Sequence, residues 1–430
     1  SAIGLPFLPT FNDYTLKLKT RFNVHNELTI ISIGALDKNV LNMGIKNPTE
    51  EQQYILDYLP TNNQWNYAIG ANYRHYRENS YSTLIVSRNM LYNEAVKYLN
   101  NDESSADNLT IDYSSYETEN KLRYEEVLRQ NGYKFTYGAG VEYAKYQNTT
   151  FQKVFIPAGE DTVTQINYSS NLDFFKWSLF GQVSKSYLDD KLTLSLGLRS
   201  DANSYSSQMS NLLKQISPRF SASYSLTTKL AVNFNTGRYY QLPAYITMGY
   251  RLPDGELLNK TLGLRYIQAD HIVAGFDYRR NDKSKLTLEG FYKFYNYYPF
   301  SLRDSVSLAS KGADFGVAGD EGVTPTSKGK AWGAELYYRD KLSKMFDVTL
   351  SYTWVRSSFE DKKSDFIPSA WDNRHILNVT ALATLKRNWD IGIKWRFVGG
   401  APFTPYDENK SSLIEAWDAK GQGYLDYNLY

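Results

Sequence analysis

Short polar turns and long connections alternate along almost the whole chain, and the segments between them read as strands of period two. The short turns fall at 23–26, 77–80, 130–132, 188–190, 227–229, 281–284, 342–344 and 386–388. The long connections fall at 38–63, 158–171, 202–217, 241–264, 301–328, 357–373 and 399–423. A soluble sandwich has no reason to keep every long loop on one edge of its sheet. A barrel in an outer membrane has one: tight turns lie below the bilayer and extended loops above it.

The strands carry the same message residue by residue. Leu192, Leu194, Leu196 and Leu198 share one face and oppose Thr193, Ser195, Gly197 and Arg199. Phe220, Ala222 and Tyr224 oppose Arg219, Ser221 and Ser223; Ile391, Ile393, Trp395 and Phe397 oppose Gly392, Lys394 and Arg396. Phe175, Trp177, Leu179 and Val183 oppose Lys176, Ser178 and Gln182, and Leu286, Leu288 and Tyr292 oppose Thr287, Glu289 and Lys293. One face suits lipid and the other a wet lumen. Alternation of this kind also fits a β-sandwich with one solvated face. Two observations favour the barrel: segments such as 265–281 and 284–302 exceed the usual length of globular strands, and the short turns keep their parity throughout.

Composition matters here only for what it excludes. Mean hydropathy is −0.51, as in a soluble protein, but a transmembrane barrel shows lipid only every second residue and is expected to look soluble. No run reaches the 18 or so apolar residues of a membrane-spanning helix, so any membrane span is made of strands. There is no cysteine, which removes disulfides, thiolate metal sites and cysteine nucleophiles. A net charge of +2 argues against a polyanion-binding field and gives no reason to expect nucleic acid as a partner. The 37 tyrosines suit a bilayer interface or a ligand surface. The chain starts at serine with no charged-then-apolar leader, so a signal peptide is expected to be missing from this sequence.

The expected fold is therefore all-β, a transmembrane antiparallel β-barrel with about 16 strands over residues 1–430. Following the turn parity to the ends puts both termini on the outer side, which makes this the central part of a larger barrel, without its closing strands.

No catalytic constellation is legible. The four histidines, His25, His75, His271 and His375, lie far apart, and no nucleophile stands beside an orienting base. The expectation is a protein that is not an enzyme, with no cofactor and no metal site. The acidic stretch 100–108 reads as a solvated loop tip; a calcium site is the alternative, but its aspartate spacing matches no dedicated loop. The glycines at 312–322 lack phosphate-loop spacing and read as a flexible loop entering a strand. Candidate ligand contacts in the outer loops are Tyr240, Tyr245, Trp371, Arg374 and His375; a membrane-interface girdle competes for Tyr240, and a hydrogen-bonded rim for the group 371–375. Candidate lumen-lining charges are Glu142, Arg199, Arg219, Glu289, Glu335 and Arg396.

Several motifs in order resemble one known family. They are Leu5-Pro6-Phe7-Leu8-Pro9 with Phe11-Asn12-Asp13-Tyr14, Asn62-Asn63-Gln64-Trp65-Asn66-Tyr67, Ser217-Pro218-Arg219-Phe220-Ser221 and Gly237-Arg238-Tyr239-Tyr240-Gln241-Leu242-Pro243. The glycine-rich segment 312–335, Trp371-Asp372-Asn373-Arg374-His375, and Gly399-Gly400-Ala401-Pro402-Phe403-Thr404-Pro405-Tyr406-Asp407 complete the set. Together they resemble the barrel of TonB-dependent outer-membrane receptors, of the Bacteroidetes type that carries a carboxypeptidase-regulatory-like domain. The resemblance implies a barrel of 22 strands closed by a plug, a location in the outer membrane of a Gram-negative cell, and import of a large scarce nutrient such as a siderophore, vitamin, peptide or glycan. It implies as partners the TonB–ExbB–ExbD complex acting through the plug, outer-membrane lipid, the nutrient, and a surface lipoprotein as a further candidate. No plug, TonB-contacting box or closing strand is visible in this sequence. A passive porin or adhesive barrel is the alternative reading.

Overall fold

The computed structural model describes residues 5–155, 163–311, 319–343, 345–385, 387, 389–403, 405 and 407–413. The glycines at 312–316 and the tail 421–430 lie outside them. Strands take up most of the rest: β1 (Phe7–Asn23), β2 (Asn26–Leu41), β3 (Thr61–Tyr76), β4 (Ser80–Tyr98), β5 (Leu109–Gln130), β6 (Tyr133–Phe155), β7 (Val163–Tyr187), β8 (Leu192–Asn203) and β9 (Ile216–Ser225). They continue as β10 (Leu230–Gln241), β11 (Ile267–Asn281), β12 (Ser284–Ser301), β13 (Val323–Asp340), β14 (Phe346–Glu360), β15 (Phe366–Pro368), β16 (Arg374–Leu385) and β17 (Trp389–Val398). Each pairs antiparallel with the next in the chain, except that the three-residue β15 and then β16 both pair with β14. Among the described residues, sixteen long strands and one short one thus meet the expectation of about 16, and all eight predicted turns join paired strands.

Register turns the local alternation into two continuous faces. Leu18 stands opposite Ile30, Ile30 opposite Ala71, Ala71 opposite Val86, Val86 opposite Leu122 and Leu122 opposite Val141. The same face carries the paired residues Val183, Leu196 and Phe220, and further on Phe276, Leu288, Leu336, Tyr352, Leu377 and Phe397 in register. Val86, Leu122, Val141, Leu179 and Leu196 are about half exposed or more, which is affordable only where lipid replaces water. Polar and charged side chains occupy the other, inner face. β1 and β17 pair on one side only among the described residues, and both are exposed along nearly their whole length.

The strands run further outward than the sequence suggests. β7 has 25 residues; at about 3.3 Å per residue and a tilt near 45° it climbs about 58 Å, more than twice the ~25 Å apolar band. Residues 163–171, expected as loop, are the outer part of β7, and β13 begins at Val323 within the expected loop 301–328. Both of their faces are polar enough to hide the period. What keeps them extended is an unbroken hairpin ladder, from Tyr133 opposite Lys185 to Phe155 opposite Val163. The outer connections also contain helices: α1 (Glu50–Tyr58), α2 (Tyr245–Gly249), α3 (Leu258–Thr261) and α4 (Glu408–Ser411). α1 starts in a capping box, with the Thr49 hydroxyl accepting from the Gln52 amide while the Gln52 side chain accepts from the Thr49 amide, a signal readable as Thr-x-x-Gln.

Candidate functional site

Along β6 and β7 above the apolar band, exposed and buried residues alternate strictly. Lys145, Gln147, Thr149, Ser169, Asn171 and Asp173 are exposed, whereas Ala144, Tyr146, Asn148, Thr150, Ser170, Leu172 and Phe174 are buried. The inner face is buried because the connection between β10 and β11 folds back over it. Pro243 ends the extended run, α2 follows, and Tyr245 and Met248 pack into a cluster with Ala144, Tyr146, Leu172, Phe174 and Tyr205. Phe174 meets the Tyr245 ring edge-on at 5.5 Å between centroids, an arrangement favoured by the ring quadrupoles. Tyr205 Oη donates to the Met248 carbonyl at 2.8 Å.

At the inward end of the Tyr245 side chain lies a charge network on β5, β6 and β7. Lys176 Nζ is 2.7 Å from Glu119 and 2.7 Å from Glu142. Lys121 Nζ lies 2.5 Å from Glu119 and 3.9 Å from Glu142. Lys176 donates to Tyr245 Oη at 3.0 Å, and that hydroxyl donates to Glu119. Two cations and two carboxylates balance, so the loop's polar anchor carries no net charge into a partly dry site. Burial raises the Tyr245 hydroxyl well above the ordinary phenol range, so it stays protonated and able to donate.

The far side of the loop is held by Asn259, which is fully buried. Its Nδ2 donates to the carbonyls of Thr247 (2.7 Å) and Glu321 (2.9 Å), and its Oδ1 accepts from the Val323 amide at 2.7 Å. One side chain therefore ties α2 and α3 to the start of β13. Asp320 is buried beside this junction; burial pushes its carboxyl up to about 6, against the pull of Arg303.

The five candidate ligand contacts do not converge. Tyr245 sits in the buried cluster. Tyr240 has the parity of the apolar face; its hydroxyl donates to Gln268 at 3.4 Å and its ring packs at the margin of the cluster. Trp371 is 65% exposed. Arg374 adopts φ 62° and is exposed. His375 has the outward parity of Trp354, stacks on Tyr352 and shares a 2.8 Å hydrogen bond with its hydroxyl. The centre of this segment is Asp372, part of the group expected as a hydrogen-bonded rim but not among the ligand candidates: it is 1% exposed and accepts from Arg356 Nε at 3.2 Å and the Ser357 amide at 2.8 Å.

All six candidate lumen charges have inner-face parity. Glu142 belongs to the Lys176 network. Arg199 forks onto Asp201 at 2.8 and 2.6 Å, and Arg219 lies 4.5 Å from the Tyr239 ring. Glu289 stands opposite Glu335 in register, and neither has an ion-pair partner among the described residues. Arg396 faces Asn378 on exposed β17. The acidic segment 100–108 closes on itself, with Asp102 accepting from the Ser104 amide and from Asn108. No three potential metal ligands come together among the described residues.

A barrel wall with an apolar outer face, a charged inner face and an outer loop seated against that inner face defines a membrane receptor or channel of the outer-membrane kind. The chain belongs to the family described as TonB dependent receptor-like, beta-barrel, which it matches over residues 10–430. That family consists of receptors and transporters, not enzymes, of the Gram-negative outer membrane. Solved structures with the same fold include the ferripyoverdine receptor of the outer membrane of Pseudomonas aeruginosa (TM-score 0.66, 13% identity, 94% of this chain and 57% of that one). A ferric enterobactin receptor mutant of Pseudomonas aeruginosa in complex with enterobactin (0.64, 16%, 93% and 59%) and the copper transporter OprC (0.64, 13%, 92% and 59%) are similar to the same degree. The chain thus spans less than two thirds of the length of each of these proteins. No curated protein matches it.

Proposed function

We propose that this chain is the barrel wall of an active importer, which takes a large, scarce nutrient from outside the cell and admits it when a plug inside the barrel rearranges. The observation that carries the reading is the segregation of the two faces. An apolar outer row and a charged inner row run from β1 to β17 in a chain of the TonB-dependent family, so the wall encloses a wet passage through lipid. Unpaired inner charges such as Glu289 and Glu335 suit polar contacts to a plug, whose movement would draw on the TonB–ExbB–ExbD complex. A surface lipoprotein is a further proposed partner at the outer mouth. Siderophore, vitamin, peptide and glycan cargoes all suit this reading, and the named cargoes of the similar structures are those proteins' own.

The test is uptake in the source organism. A strain lacking the gene is grown on limiting iron, cobalamin, peptide or glycan, and uptake of the nutrient it fails on is measured in the complemented strain with and without a protonophore. Collapse of the proton gradient is expected to abolish uptake. Uptake that continues unchanged would make the barrel a passive porin instead.

A further inference from the structure

Beneath the α2 loop, the inner face of β6 and β7 presents four buried polar atoms with no hydrogen-bond partner among the described residues. Tyr146 Oη, Asn148 Oδ1, Tyr168 Oη and Ser170 Oγ are all without a hydrogen bond, and their residues are 1%, 4%, 7% and 5% exposed. Register makes them one patch: Asn148 stands opposite Ser170, Thr150 opposite Tyr168, and Tyr146 is the next inward residue of β6. Neighbours of this kind lie within about 5–8 Å of each other. Buried polar groups are normally satisfied, and four failures in one patch make this floor unlike the rest of the wall.

The loop forms its roof. A Cβ on Gly249 would come 2.9 Å from Ser170 Oγ and 3.1 Å from the Tyr146 ring, so the roof lies directly on the floor and any side chain at 249 has to displace or bond to Ser170. The next residue, Tyr250, meets Tyr168 edge-on at 5.3 Å. The geometry points to a latent binding site on this floor for a neutral, polyhydroxylated ligand such as an oligosaccharide, covered by the α2 loop and uncovered when the loop swings away. The three hydroxyls can both give hydrogen bonds to and accept them from vicinal hydroxyls, the amide oxygen can accept them, and tyrosine rings offer apolar faces to ring C–H groups. An anion is disfavoured. Glu117 stands opposite Tyr146 on the same face, Asp320 is buried, and Lys176 on the inner face of β7 is matched by Glu119 and Glu142. Arg251, at the edge of β7, is engaged by the carbonyls of Gly255 and Asn171. The inference deepens the receptor reading, and its test reads binding rather than import, so the two fail separately.

The experiment uses the full-length receptor purified from outer membranes in detergent, probed with an array of neutral oligosaccharides that includes maltohexaose and cellohexaose. In the double variant Gly249→Cys/Ser170→Cys the 2.9 Å approach matches the ~3 Å between a Cβ and the partner sulfur of a disulfide, and this chain has no other cysteine. The reduced double variant is expected to bind at least one neutral glycan and the oxidised form to bind it at least tenfold more weakly. Tyr168→Phe removes only an unpartnered hydroxyl. It is expected to leave thermal stability equal or higher while weakening the same glycan about tenfold, a combination that a purely structural tyrosine would not give. The inference is overturned if unmodified receptor binds no neutral glycan, if oxidation leaves binding unchanged, or if Tyr168→Phe binds like the parent.

Discussion

Removing the hydroxyl of Tyr245 tests whether the α2 loop is held to the wall by its polar anchor. That hydroxyl accepts from Lys176 at 3.0 Å and donates to Glu119. Lys176 keeps both carboxylates at 2.7 Å in the variant, so no charge is stranded and the cost is that of hydrogen bonds to charged groups, about 1.5–3 kcal/mol. The ring and its contact with Phe174 remain. Tyr245→Phe should therefore raise the fraction of molecules with the loop open by about 10- to 150-fold, with the strands intact. Hydrogen exchange on α2 reads this directly, since the Met248 amide is bonded to the Ala244 carbonyl and exchanges only when the turn opens. Tyr245→Ala, which also loses the buried ring, should cost more, about 3–5 kcal/mol. Unchanged exchange across 245–250 in Tyr245→Phe, or an equal rise across β6 and β7, would refute the anchoring argument.

Three further outcomes follow from the same geometry. Burial lifts the Asp320 carboxyl from 3.8 to about 6, so the folded loop binds its proton more tightly than the open one. The stabilisation is complete below about pH 4, falls as pH rises through 6 and amounts to at most about 3 kcal/mol; limited proteolysis of the loop should be slower at pH 5 than at pH 7.5 after correction for protease activity, and Asp320→Asn should abolish the difference. Asp372→Ala leaves the buried Ser357 amide without its acceptor and should destabilise the β14–β16 connection by about 1–3 kcal/mol, seen as faster exchange there, whereas exposed Trp371→Ala should leave exchange unaltered. Leu196→Arg, on the outer face near the middle of the apolar band, should cost about 2–4 kcal/mol in a reversible folding measurement in lipid, while Ser195→Arg on the inner face should cost under about 1 kcal/mol; equal effects would contradict the assignment of faces.

How much of the site was legible in the sequence depended on distance along the chain. Tyr245, just past Pro243, stood out as a ligand-contact candidate, and it proves to be the centre of the loop's anchor. Its partners did not stand out. Glu119 is 126 residues away from it and Lys176 is 69, and inner-face parity made Lys176 one of many polar residues of the wall. Asn259 was hidden for another reason: its importance comes from burial and from the backbone groups it satisfies, and it has no local pattern. Thr49 and Gln52 show the opposite case, since a capping box is a signal of four consecutive residues that sequence alone can supply.

By itself the sequence determined the strand period, the eight turns, the assignment of apolar and polar faces and the family, because each rests on residues within a few positions of one another or on ordered motifs. Only the tertiary structure decided that β6 and β7 continue well above the membrane, that the connection between β10 and β11 folds inward rather than outward, and that it covers a floor of unpartnered polar groups. Those features follow from pairing and packing between segments tens of residues apart, where the free energy lies in contacts that no local pattern encodes.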